Sequence, residues 1–368
     1  MPYKLSVALK RIGSAAALCF LAYAFFFASE APGAPLPYFG QEEGKILAGR
    51  VQKGTFESLN LLQLGGETIL DGDGRYQRLF LFSWERDFFL DIPSESFLNV
   101  ILNSGEFRLT WEYPEVVNPY VVLIGEHSFF YQSAGPGDPF QITRFTGVGI
   151  GTGIMKRMEE MNFRLGVEWI PGRLAGGGQR DDGQRLTEFA QFEIDRIVKS
   201  KYDESVGGIR LFVSLSSQSL EGFSPELQER DHLLQAMAEK YFPLSQETIL
   251  GLVARGGQES RSGRYWKTTF GSFQEDGFNL PLPGYFYQQL AAKSYLNGEV
   301  HLRSWITPAL LGHLGYYAAG GWDSHLYNSS SIGVTYLILG KLPLFAEGGF
   351  GHSPAGGAEF LLGTALQW

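Results

Sequence analysis

The closing stretch F-L-L-G-T-A-L-Q-W, residues 360–368, decides the fold. Large apolar side chains fall at Phe360, Leu362, Leu366 and Trp368, while the intervening positions carry Leu361, Gly363, Ala365 and Gln367, mostly small or polar. A β-strand turns successive side chains to opposite faces, so this alternation describes a strand with one large apolar face and one smaller, mixed face. Alternation that runs to the last residue suits a strand with lipid on one side and a lumen on the other.

The same period recurs upstream. Phe107, Leu109, Trp111 and Tyr113 interleave with Arg108, Thr110 and Glu112; Phe163, Leu165, Val167 and Trp169 interleave with Arg164, Gly166 and Glu168. Val300, Leu302 and Ile306 alternate with Glu299, His301, Arg303 and Trp305, and Ile332, Val334, Tyr336 and Ile338 with Ser331, Gly333 and Thr335. Less regular strands are expected near 57–65, 75–85, 96–103, 119–131, 142–155, 186–197, 206–219, 245–256, 311–322 and 342–350. Segment 229–242 admits two readings. Ser224-Pro225-Glu226 has the form of a helix start, with proline in the first turn, while His232 to Tyr241 also fits a strand. Counted as a strand, it brings the total to about sixteen, and single-chain bacterial barrels have even numbers. Polar stretches at 134–140, 171–185, 198–204, 220–231 and 257–283 are expected to be loops. The glycine run GVGIGTG, residues 147–153, lies inside a strand with no helix after it, so it reads as lumen packing and not as a phosphate cradle.

Periodicity alone does not separate a soluble sandwich, whose apolar face is its core, from a barrel, in which the apolar face meets lipid. The chain ends do. Lys4, Lys10 and Arg11 precede an apolar run from Ile12 to Ala28, and small residues and prolines follow at Ser29, Ala31, Pro32 and Ala34. That order is a secretory signal peptide, expected over 1–31 with cleavage between 28 and 34. A lead or plug over 32–56 and a barrel over 57–368 complete the expected organisation. The chain's one cysteine, Cys19, lies in the signal, and bulky Leu18 before it disfavours a lipoprotein signal. The exported chain therefore has neither disulfide nor thiolate metal site. Aromatic residues make up 14% of the sequence and glycine is abundant at 47, which with an export signal favours a barrel. A net charge of −9 argues against nucleic acid as a partner. The fold class expected is all-β, a membrane-spanning antiparallel β-barrel of about sixteen strands, in the bacterial outer membrane.

On the polar faces, Arg108, Arg164, Arg210, Arg255 and Arg303 accompany Glu112, Glu168 and Glu299. In a lumen these form an ion-pair ladder or line a wet channel. His232, His301, His313 and His325 show no metal-ligand spacing, and no metal or cofactor is expected. Two adjacent pairs, His127-Ser128 and His352-Ser353, are the candidates for Ser–His hydrolysis. Neighbours on a strand point apart, and the turn after His352-Ser353 is expected at the periplasmic end, so no catalytic residue is assigned.

Two resemblances add to this reading. The spacing Gly363, Leu366, Trp368 resembles the C-terminal signal by which outer-membrane barrels are addressed for assembly, which implies the barrel assembly machinery as a partner in the chain's own insertion. The run ETILGLVARGG from Glu247, a polar loop, Phe270-Gly271-Ser272-Phe273, Leu282-Pro283-Gly284-Tyr285 and EVHLRSWI, followed by four more strands, resembles the C-terminal half of the BamA/TamA-type translocase superfamily barrel. This is the bacterial surface antigen domain, also found fused to patatin-type phospholipases. Upstream, FRLTWEYP, PYVVLIGEHSFFYQ and NFRLGVEWIPG are similar in order and spacing to that barrel's earlier strands. The resemblance implies a long sixth extracellular loop folded back into the lumen, carrying a hydrophobic–Arg–Gly–aromatic tetrapeptide. Leu282, Gly284 and Tyr285 match it; the arginine is Pro283 here, so its contact to an inner-wall acid is unavailable.

The resemblance further implies a barrel-only member that assists insertion or passage of protein or lipid, with outer-membrane lipid, a client protein and a periplasmic partner as candidate partners. Its first and last strands are expected to pair weakly and part to template a client strand. The alternatives are a diffusion pore lined by Arg108, Arg164, Arg210 and Arg303, and an adhesive or structural barrel working through loops 171–185 and 257–283.

Overall fold

In lipid a sheet has no water to satisfy its edges, so strands of this pattern must close on themselves. A computed structural model of the chain describes residues 60–71, 76–90, 96–103, 106–112, 118–132, 141–158, 160–176, 179–199, 205–223, 230–260, 268–273, 279–286, 288–321, 326–338 and 342–367. The expected signal peptide, the lead over 32–56, the helix start at Ser224 and the terminal Trp368 lie outside these residues.

Among the described residues sixteen strands form the wall. They are β1 Asn60–Asp71, β2 Tyr76–Leu90, β3 Ser96–Asn103, β4 Glu106–Glu112, β5 Asn118–Gln132, β6 Gln141–Met158, β7 Met161–Gly176 and β8 Gln179–Asp195. The circuit continues with β9 Ser205–Glu221, β10 Arg230–Pro243, β11 Thr248–Glu259, β12 Ser294–Thr307, β13 Leu310–Gly321, β14 Tyr327–Ile338, β15 Leu342–Gly351 and β16 Gly357–Gln367. Each pairs antiparallel with its sequence neighbours, and β1 pairs with both β2 and β16, so the ring closes. Residues 230–243 are a strand, resolving the ambiguity in the sequence.

The apolar face points outward. On β5, Val121 and Leu123 are exposed while Tyr120, Val122 and Ile124 between them are buried. On β14, Ile332, Val334, Tyr336 and Ile338 are exposed, whereas Ser331 and Thr335 are buried. On β16, Phe360 and Leu362 are exposed and Glu359 and Leu361 buried. Such a molecule is inverted relative to a soluble protein, and its exposed belt is the surface that meets hydrocarbon. The glycine run lies inside β6, as expected. A Cβ at Gly151 would strike Val122 and Glu168, and one at Gly166 on β7 would strike Tyr120 and Phe189. Bare backbone there lets large inward side chains lie flat across the wall.

Three expectations are corrected. Residues 171–185 are not a loop: β7 and β8 pair continuously from Met161↔Ile194 to Gly176↔Gln179, and Arg173 Nε donates to Asp182 Oδ1 at 2.6 Å across the hairpin. Gly, Gln and charged residues are tolerated because the strands hold each other beyond the apolar belt. The first and last strands are not weakly paired. They match without a break from Leu61↔Gln367 to Asp71↔Gly357, whereas β3 and β4 pair only from Phe97↔Glu112 to Leu102↔Phe107. The His352-Ser353 turn lies at the barrel end opposite the termini, because β16 runs from that turn back to the C-terminus.

Ile332 sits mid-strand on the lipid face. Ile332→Arg is expected to destabilise the barrel by about 2–4 kcal/mol, measured by denaturant unfolding in lipid vesicles.

Candidate functional site

The connection between β11 and β12 is long enough to fold on itself, and it does so inside the lumen. Thr269–Phe270 pairs parallel with Asn279–Leu280 and antiparallel with Leu290–Ala291. Asn279 ties the pieces together: its Nδ2 donates to the Gly271 carbonyl at 2.6 Å, and its Oδ1 accepts from Gln288 N–H at 3.2 Å. Ser272 and Gln288 adopt positive φ values of 58° and 59°, a region non-glycine residues rarely occupy, so tertiary contacts hold this backbone. Phe270, Leu280, Leu282 and Tyr285 are buried against Tyr295, Tyr317 and Ala319 of β12 and β13. Phe270 meets Tyr295 edge-on at 5.7 Å, and Tyr285 meets Tyr327 at 6.1 Å.

Besides this apolar packing, buried carboxylates on the wall accept the loop's backbone amides. Glu259 on β11 accepts from Thr268 N–H at 2.6 Å. Glu359 on β16 accepts from Gly284 N–H at 2.6 Å and from Phe273 N–H at 2.9 Å. Glu67 on β1 accepts from the same Phe273 N–H, also at 2.9 Å. Charge-assisted bonds of this kind are stronger than neutral ones, and they satisfy backbone groups that water does not reach.

The sequence tetrapeptide Leu282-Pro283-Gly284-Tyr285 is the tip of this docking. Leu282 is fully buried and its N–H donates to the Ser272 carbonyl at 2.9 Å. Gly284 has φ +80°, and a Cβ there would fall on Gly351 N and Gly357 O, so only glycine fits. Its carbonyl accepts from Gly357 N–H at 2.6 Å. The Tyr285 hydroxyl donates to the Asn328 carbonyl at 3.1 Å and lies 3.0 Å from Ser353 Oγ. Pro283 lies over Gly349 on β15. Beside Pro283, where the resemblance led to the expectation of an arginine, the backbone N–H of Gly284 meets the wall acid Glu359.

The lumen charges named from sequence all find partners. Arg108 Nη1 donates to Glu168 Oε1 at 2.7 Å, spanning from β4 to β7. Arg255 pairs with Glu299, whose other oxygen lies 2.9 Å from His301 Nε2. Arg210 Nε donates to Glu193 Oε1 at 2.6 Å, and Glu112 accepts from Asn118 at 2.9 Å. Arg164 stacks over Tyr120 at 4.6 Å and Phe189 at 5.0 Å. Arg255, Glu299 and Arg303 are brought together in a cavity of about 330 Å³ under the loop, roofed by Phe273 and Pro281. An additional pair, Arg185 with Glu126, was not singled out from sequence. Neither were Glu67, Glu259 and Glu359, although inward placement on a strand was the available signal.

Of the Ser–His candidates, Ser128 donates to Glu126 at 2.7 Å and His127 Nδ1 lies 2.9 Å from Thr146 Oγ1. His352 Nε2 lies 3.0 Å from Ser330 Oγ, and Ser353 serves Tyr285. Neither adjacent pair is a dyad. In β16, Gly363 pairs with Gly65 and Leu366 with Leu62, closing the ring.

The class defined by this architecture is an outer-membrane β-barrel with a loop folded into its lumen. No family model and no curated protein sequence matches the chain. Among solved structures, the barrel resembles BamA from Haemophilus ducreyi lacking POTRA domains 1–3, with TM-score 0.57 and 11% identity over 84% of this chain and 71% of that one. CdiB from Acinetobacter baumannii matches with TM-score 0.54 and 10% identity over 86% of this chain, and CdiB from Escherichia coli with 0.51 and 8% over 83%. The chain spans 60% and 63% of those two CdiB chains. The fold is therefore that of the BamA and CdiB barrels.

Gly284→Val is expected to undock the loop, since positive φ alone costs a β-branched residue about 1–2 kcal/mol before the steric clash. Tyr285→Phe, losing only the hydroxyl's bonds, is expected to cost about 1 kcal/mol. Limited proteolysis within 260–293 on the folded barrel reads both.

Proposed function

We propose that this outer-membrane barrel assists the insertion, translocation or assembly of protein or lipid at the outer membrane. The observation that carries this reading is the loop between the eleventh and twelfth strands, folded into the lumen and docked on both the first and last strands, in a barrel with the fold of BamA and CdiB. Activity of this kind needs no covalent step. It needs a wall that opens, and an opened β1 or β16 presents unpaired N–H and C=O groups to a client strand. Because the β1–β16 ladder is complete here, this is the closed state, and work requires its release. Leu282, Gly284 and Tyr285 set the loop that governs it. Gly363, Leu366 and Trp368 serve as the address for the chain's own assembly, after export on a signal peptide.

A charge-selective pore is the second reading, favoured by the cavity beneath the loop. Against it, two of the four arginines named for a pore, Arg108 and Arg210, are paired with Glu168 and Glu193, which weakens the field that could select a permeating ion.

Quantitative proteomics of outer membranes from cells depleted of this protein separates the two. Selective loss of a few barrels or surface proteins is expected. An unchanged proteome together with steady single-channel conductance would establish the pore instead.

A further inference from the structure

We propose that Glu67 and Glu359 make the folded-in loop a clamp across the β1–β16 seam, holding the seam shut while the loop is docked and prying it apart when the loop leaves. The clamp gives the proposed function its regulation and rests on that reading for its purpose. Its geometry stands independently.

Glu67 on β1 lies opposite Leu361, and Glu359 on β16 lies opposite Ile69, so the two carboxylates are diagonal neighbours on the lumen face of the seam. Both are buried, at 2% and 3% exposure. Diagonal positions on one face of an antiparallel pair are within reach of long side chains. Two carboxylates held so close in a low-dielectric site repel each other unless donors are placed between them. The donors come from the loop. Phe273 N–H is shared by Glu67 Oε1 and Glu359 Oε1, each at 2.9 Å, and Gly284 N–H reaches Glu359 Oε2 at 2.6 Å. One loop amide therefore bridges the first strand to the last.

Removing the loop would take those amides away and leave two carboxylates side by side, which repel each other when both are ionised. Here the strain would fall across the ladder that must open. Backbone donors fit such a clamp, since they arrive together when the loop folds and leave together when it withdraws.

The test is hydrogen exchange on the full chain folded in detergent micelles, comparing β1 and β16 amides with the β7–β8 ladder as internal control. Replacing residues 268–292 by a short glycine-serine linker is expected to speed exchange at the seam about tenfold or more with β7–β8 unchanged. Adding Glu67→Gln and Glu359→Gln to that variant removes the repulsion and is expected to return the seam most of the way to wild-type protection. Should the linker variant fail to fold, Gly284→Val, which keeps every other loop residue, carries the same expectation. Seam exchange at the wild-type rate, equal loosening of all ladders, or no rescue by the double glutamine would each overturn the clamp. Client levels play no part in this readout. An unchanged outer-membrane proteome would sink the translocase reading alone, and unchanged exchange would sink the clamp alone.

Discussion

Everything in this molecule follows from one constraint: backbone N–H and C=O groups at membrane depth find no water, so the protein must satisfy them itself. The wall meets the constraint by closing, with β1 paired to β2 on one side and β16 on the other. Closure then sorts the side chains. Leu302, Val334 and Phe360 go out to hydrocarbon, and Glu299, Thr335 and Glu359 go in. Non-repetitive backbone inside the ring faces the same demand. The loop between β11 and β12 meets it partly with its own three-stranded sheet and partly with carboxylates projected from the wall at Glu67, Glu259 and Glu359.

The interior is accordingly packed and not simply wet. On the β4–β9 side, Arg108 to Glu168 and Arg185 to Glu126 each reach across two intervening strands, and Phe145 meets Phe223 edge-on at 6.5 Å within an apolar cluster. On the β11–β16 side the loop and its aromatic neighbours fill the space. Between loop and wall remains the cavity holding Arg255, Glu299, His301 and Arg303. The two halves use different fillers. One is stapled by side chains that belong to the wall, the other filled by a segment held through buried apolar side chains and main-chain amides.

The strands were legible because period two is enforced at every residue of a lipid-facing wall. Phe163 to Trp169 and Ile332 to Ile338 show it plainly, and even the ambiguous His232–Tyr241 fell in place once an even ring was required. Errors arose where composition stood in for pairing. Gly65-Gly66 reads as a strand end, yet a Cβ at Gly66 would meet nothing and the ladder runs on through Glu67 to Asp71. PGRLAGGGQRDDGQR reads as a loop, yet it is a hairpin held by its partner strands. The tip Leu282-Pro283-Gly284-Tyr285 was found only through the resemblance; the positive φ of its glycine and the burial of its tyrosine came from the fold. Its receptors were not found in the sequence. A glutamate on an inward strand position is common in any barrel lumen, and nothing in Glu67 or Glu359 taken alone announces that a loop amide will sit on it.

Pro283 shows why this asymmetry matters. A loop fastened by an arginine side chain depends on one residue in the loop, and exchanging that residue abolishes the fastening. A loop fastened by its own amides depends on the wall. At Phe273 and Gly284 the donor is main chain, so many side chains could occupy position 273 without loss, while Gly284 is restricted by φ and crowding alone. The chemical requirement lies in two acids on the strands that close the ring. Those acids face each other when the donors depart, and like charges side by side repel. In a wall whose first and last strands are otherwise fully paired, that repulsion is directed against the seam itself, and it acts only after the loop has left.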